Sequence, residues 1–134
     1  MSKYQRLPNE RLTGPLHSMV CSNGLVIPLG DRKLILIAGQ IAIDSEGEVQ
    51  HEDMPEEQAR YIFRKIQSLL MEAGASLDDI IRVVIYVTDM SYLSKVSSVR
   101  DQYVLFAQPV STYVGVNELA VKGCKVEIEV TAIV

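Results

Sequence analysis

Residues 54–73 carry the strongest periodicity in the chain. Apolar side chains recur at Ala59, Ile62, Phe63, Ile66, Leu69, Leu70 and Ala73, the three-and-four spacing that lines one face of an α-helix. Pro55 suits the first helical turn and Asp53 is a candidate cap. Glu56 and Glu57 complement the helix dipole, and Gly74 stands where a left-handed closing residue belongs. A second, weaker helix is expected from Asp89 or Ser91 to about Phe106. Its face is Leu93, Val96, Tyr103 and Val104, with Val99 off the stripe. Pro109 ends it.

The other apolar runs have strand character. Residues 19–27 form a first element with Asn23-Gly24 as a turn candidate inside it, and residues 28–31 break the chain. The run KLILIAGQIAI (33–43) is too β-branched for a good helix. It reads as a strand with a bend or bulge near Gly39. A turn follows at residues 44–47, and residues 76–79 form a short helical turn or cap. IIRVVIYVT (80–88) reads as a central strand. QPVSTYVGV (108–116) reads as a proline-led entry into a buried strand without a charged side chain. In the last strand Val126, Ile128, Val130 and Ala132 point one way, and Lys125, Glu127, Glu129 and Thr131 the other.

The resulting order is β-β-(turn)-α-β-α-β-β. It predicts an α+β fold, a mixed sheet with both helices on one face. The other sheet face carries too many apolar positions to sit in water, and no further helix remains to cover it. A self-associating face is the simplest solution.

Bulk properties narrow the function. The 134 residues suggest one domain, 1–134, with a net charge of −4. Arg60, Arg64 and Lys65 are the nearest thing to a basic cluster and read as a solvated helix face, so no nucleic-acid partner is expected. The polar N-terminus lacks a signal-peptide core and no apolar run would span a membrane, so no membrane partner is expected and a cytoplasmic location is the default. Cys21 and Cys124 lack metal-type spacing and suggest free thiols in a reducing compartment; the sequence leaves a disulfide between them open. The glycines fit no phosphate loop, and no Gly-x-Ser-x-Gly occurs. His17 and His51 are far apart in sequence and have no companion ligand, so a zinc site is not expected.

Glu127 and Glu129 are the candidate chemistry. Two positions apart on a strand, they share a face at roughly 6.5–7 Å. On a solvated face the two carboxylates are simply hydrated and carry no chemistry. Covered by a subunit boundary, one carboxyl needs a donor or a raised pKa, and it could then act as general acid/base on a bound water.

The segments IAGQIAI (37–43), LLMEAGASLDDIIRVVIYVTDM (69–90), PVSTYVGV (109–116) and KGCKVEIEVTAIV (122–134) resemble the Rid, or YjgF, family. The resemblance implies a chorismate-mutase-like fold and a homotrimer with a barrel-like core, helices outside and ligand clefts between subunits. It also implies metal-free and cofactor-free hydrolysis of an enamine or imine by an enamine/imine deaminase. In that pattern an arginine holds the substrate carboxylate and a glutamate positions water. The glutamate carries over to Glu127 and the glycine of the Ser-Gly-Gln motif to Gly39.

The arginine does not carry over. The Pro-Ala-Arg-Ser/Thr motif aligns with Pro109, Val110, Ser111 and Thr112, which places Ser111 at the arginine position. Tyr113 stands where a small residue or cysteine is usual, Ala38 replaces the serine before Gly-Gln, and Ser97 falls at an asparagine position. Gly14-Pro15-Leu16 aligns with a Gly-Pro-Tyr motif and loses its tyrosine; the longer segment that follows suggests an extended hairpin over residues 25–33. Losing a charge-assisted contact costs about 1.5–3 kcal/mol, or roughly ten- to a hundredfold in affinity.

Three readings follow. The first is a divergent Rid protein binding a neutral or weakly polar metabolite, with Glu127, Ser111, Thr112, Tyr113, Gly39, Ala38 and Leu16 at the site. The second is an imine deaminase with a substitute cation, Lys122 or Lys125 from another strand or subunit. The third is a non-catalytic regulatory trimer.

Overall fold

The computed structural model describes residues 3–7 and 21–134. Six strands form one mixed sheet: β1 (Gln5–Leu7), β2 (Gly24–Leu29), β3 (Arg32–Gln40), β4 (Ile80–Val87), β5 (Val110–Gly115) and β6 (Val126–Ile133). Their order across the sheet is β1-β2-β3-β6-β4-β5. β4 and β5 run parallel, and every other neighbouring pair is antiparallel. Helices α1 (Pro55–Glu72) and α2 (Leu93–Val104) pack on one face, as the periodicity requires.

The core lies between that face and the helices. α1 buries Ala59, Ile62, Phe63, Ile66, Leu69 and Leu70 against inward residues of the sheet, among them Ile35, Ile37, Val83, Ile85, Ile128 and Val130. Each fully buried side chain of this size contributes about 1.5–3 kcal/mol. Phe63 stacks on Tyr103 of α2 with centroids 5.1 Å apart, which fixes the two helices side by side.

Several local expectations need revision. The segment Asn23-Gly24 is not a turn. Gly24 opens β2 opposite Ile37, where a Cβ would come within 2.6 Å of the Leu36 carbonyl oxygen. β2 also runs through Pro28 to Leu29, and the chain reverses at Gly30 and Asp31. Proline is tolerated there because β1 pairs only with residues 24–26, leaving the outer edge at Pro28 without a ladder. The extended hairpin is present as β2–β3. α1 is capped by Met54 rather than Asp53, whose φ of 59° turns it away and whose carboxylate meets Lys125 at 3.4 Å. Asp89 caps a short 3-10 turn over Met90–Tyr92, and α2 starts after it. Val99 is fully buried, while Leu93 is only half-buried. Lys65 does not belong to a solvated face: its Nζ donates to the carbonyls of Ile41 at 2.8 Å and Ile43 at 3.1 Å. Finally, β5 is not a buried strand. It is the sheet edge and is largely exposed.

Among the described residues, the face away from the helices is left open. It presents Leu25, Ile27, Leu34 and Leu36 from β2 and β3, then Glu127, Glu129, Thr131 and Ile133, then Val84 and Tyr86. Among the described residues no helix is long and apolar enough to cross a membrane, and no three metal-ligating side chains cluster.

Candidate functional site

The expected bulge is at Gly39. On β3, Ile37 pairs with Val130 and Gln40 with Ile128, so the partner strand spends two residues where β3 spends three. Gln40 locks the irregularity from inside: its Nε2 donates to the Ala38 carbonyl at 2.8 Å and to Asn23 Oδ1 at 3.2 Å. Ala38 also donates its N–H to the Asn23 carbonyl at 2.7 Å.

Glu127 occupies the space this creates. A Cβ on Gly39 would overlap Glu127 Oε2 and lie 2.8 Å from its carboxyl carbon. The position therefore has a packing reason to be glycine. The carboxyl is half-buried and has no hydrogen-bond donor among the described residues. Burial pushes its pKa up, and the like charge of Glu129 adds to the shift. Glu129 differs. Tyr86 lies opposite Glu127 on β4, and its hydroxyl reaches diagonally to donate to Glu129 Oε1 at 2.5 Å. A cleft of about 560 Å³ opens beside Glu129, lined also by Tyr4, Arg6, Ser22, Leu36 and Ala38 among others; Glu127 does not line it.

The β5 residues divide between the two faces. Thr112 and Val114 align through Val84 and Tyr86 with Glu129 and Glu127, on the open face. Ser111 and Tyr113 align through Val83 and Ile85 with Val130 and Ile128, on the helix face. There Tyr113 Oη and Ser97 Oγ share a hydrogen bond of 2.7 Å. Within one chain, Ala38, Gly39 and Glu127 are therefore brought together, while Ser111 and Tyr113 form a separate cluster. Leu16 lies outside the described residues.

A cation stands at this second cluster, and the sequence analysis did not find it. Arg100 Nη1 donates to Ser111 Oγ at 3.1 Å, and the guanidinium lies 5.4 Å from the Tyr113 ring centre. Its Nε and Nη2 donate to Asp101 Oδ1 at 3.0 and 2.8 Å. Three of the five guanidinium N–H groups are thus engaged and two are left. A hollow of about 350 Å³ adjoins it, lined by Arg100, Asp101, Val104, Leu105, Gln108, Pro109 and Ser111. The signal was present in the helical spacing, because Arg100 continues the stripe of Val96 and Val104 and so must face the sheet. Lys125 is committed to Asp53, and Lys122 is exposed on the loop before β6.

The comparisons place this architecture. Residues 21–134 match the family described as Endoribonuclease L-PSP. A RutC family protein of Pyrococcus abyssi is 36% identical over 99 residues, spanning 73% of this chain and 76% of its own length. The crystal structure of a member of the YjgF/YER057c/UK114 family from Mycobacterium tuberculosis is 30% identical with a TM-score of 0.79, covering 98% of this chain and 99% of that one. A Rid-family protein of unknown function from Yersinia pestis is 26% identical with a TM-score of 0.80, covering 98% and 99%. The fold thus has its counterpart in known structures, and the chain belongs to the Rid (YjgF) family, the family described as Endoribonuclease L-PSP.

Proposed function

We propose that three copies of the chain assemble through their open sheet faces and bind a small metabolite in the clefts between them, with Glu127 as general acid/base on a bound water. One observation carries this reading. A half-buried carboxyl with no donor among the described residues, seated on a glycine bulge, is suited to exchange a proton. The division of β5 between two faces supports assembly. The exposed edge of one copy can meet the Glu127 face of the next, joining Ser111, Thr112 and Tyr113 to Glu127. The free thiols of Cys21 and Cys124 fit a reducing cell interior.

The ligand is not held by an arginine on β5. Arg100, however, favours the second reading, hydrolysis of a small enamine or imine that carries a carboxylate. Its guanidinium is delivered to the Ser111 hydroxyl by α2 instead of by the strand. The direct assay is ammonia release from enzymatically generated 2-iminopropanoate. Loss of turnover in Glu127→Gln supports the hydrolytic role, and unchanged turnover removes it. Arg100→Gln should raise KM about ten- to a hundredfold with kcat little changed if the ligand is anionic. An unchanged KM would return the site to a neutral ligand.

A further inference from the structure

The carboxyl pair on the open face is built asymmetrically. Glu129 receives a short hydrogen bond from the Tyr86 phenol, whereas Glu127 receives none from any described residue. Two carboxylates on one strand face do not share a proton evenly when their surroundings differ. The β4–β6 register decides which one is served. Tyr86 stands across from Glu127, so its ring passes beside that side chain and its hydroxyl ends at the next acid along β6.

We propose that Tyr86 and Glu129 are positioning residues that keep the exchangeable proton of the pair on Glu127. The proposal rests on the acid/base reading of Glu127 and adds the device that maintains it. A Glu129 carboxylate that accepts the hydrogen bond of the phenol is satisfied in its charged form, and its charge favours a neutral Glu127. The bond to Glu129 also pushes the Tyr86 phenol pKa up, so the tyrosine keeps its proton and remains a donor. Gly39 keeps Glu127 seated close to the sheet, where its charged form is poorly solvated.

The other charged groups around the pair do not remove this asymmetry. Arg82 lies on the same face of β4 and opposes the rise at Tyr86. Lys125, on the strand line of Glu127, is paired with Asp53. The Cys124 thiol is buried and its own pKa is raised, chiefly by burial. Arg6 lines the cleft together with Glu129 and donates to Ser22 Oγ and the Cys21 carbonyl.

The test is a pH titration of the glutamate δ-carbons by carbon NMR in the full chain, with Tyr86→Phe and Glu129→Gln variants. In the wild type, the Glu127 carbon should titrate alone, above the ordinary glutamate range. Glu129→Gln keeps an acceptor for Tyr86 and removes the charge, so the Glu127 midpoint should fall. Tyr86→Phe keeps the ring and removes the donor, so Glu129 should compete for the proton and the Glu127 carbon should titrate only in part. A Glu127 titration indifferent to both substitutions overturns the proposal. The readout needs no substrate. Predicted shifts together with an active Glu127→Gln would leave the proton placement standing and remove only the catalytic reading.

Discussion

Gly39 and Glu127 compete for one volume, and the bulge on β3 settles it in favour of the carboxyl. Gly39→Ala places a methyl group against that carboxyl. The methyl meets the far end of a flexible side chain, so we expect Glu127 to swing aside with little change in stability, together with loss of any Glu127-dependent turnover. Urea denaturation and ammonia release are the paired measurements. An alanine variant with turnover intact would show that Glu127 does not sit on Gly39. The bulge, the glycine and the shared face of Glu127 and Glu129 were legible because strand alternation places side chains without reference to the rest of the fold. The Tyr86 bond to Glu129 was not legible, since it depends on the register between β4 and β6, which no single segment specifies.

At the scale of elements, Gln58 joins α1 to the loops that lead into α1 and β6. Fully buried, it donates to the carbonyls of Gln50, His51 and Gly123 and accepts the Lys125 N–H at 2.7 Å. Gln58→Ala removes these bonds; the His51 and Gly123 carbonyls keep the Met54 and Asp53 N–H groups, but the Lys125 N–H loses its acceptor, at a cost on the order of 1–3 kcal/mol. A urea midpoint that barely moves would mean that the loops find other partners.

Lys65 ties α1 to the end of β3, and burial lowers its pKa to about 8. The sign follows from linkage. Between about pH 8 and the unfolded lysine value of about 10.4, the unfolded chain binds more protons at this site, so the Lys65 contribution to stability rises with pH. Wild-type stability minus that of Lys65→Met should therefore increase across this window. A flat difference would indicate an ordinary lysine.

The helices themselves were readable from periodicity and from Pro55 and Gly74. The error at Val99 has a definite origin: α2 packs against α1 as well as the sheet, and one ideal stripe does not describe two contacts. The error at β5 has another. A strand parallel to β4 at a sheet edge has the same apolar composition as a central one. Arg100 was missed for a related reason, because only tertiary packing brings α2 over Ser111.

At the scale of the molecule, the open face joins half-buried aliphatic side chains to the acid pair, and the exposed end of α2 and β5 adds Leu105, Phe106 and Val110, each more than 60% exposed. Such apolar surface is costly in a free monomer. The need for a cover was visible in the sequence, from the apolar residues on the sheet face opposite the helices. The division of the site between two sheet faces was not, since it arises from β5 register. If each cleft takes Glu127 from one copy and Arg100 from its neighbour, the site exists only in the assembly. The most direct measurement is sedimentation equilibrium at micromolar concentration. A mass of about 45 kDa, three times the 14.9 kDa chain, is the predicted result for a closed ring of three. A species of 14.9 kDa would contradict the shared cleft and with it the proposed site.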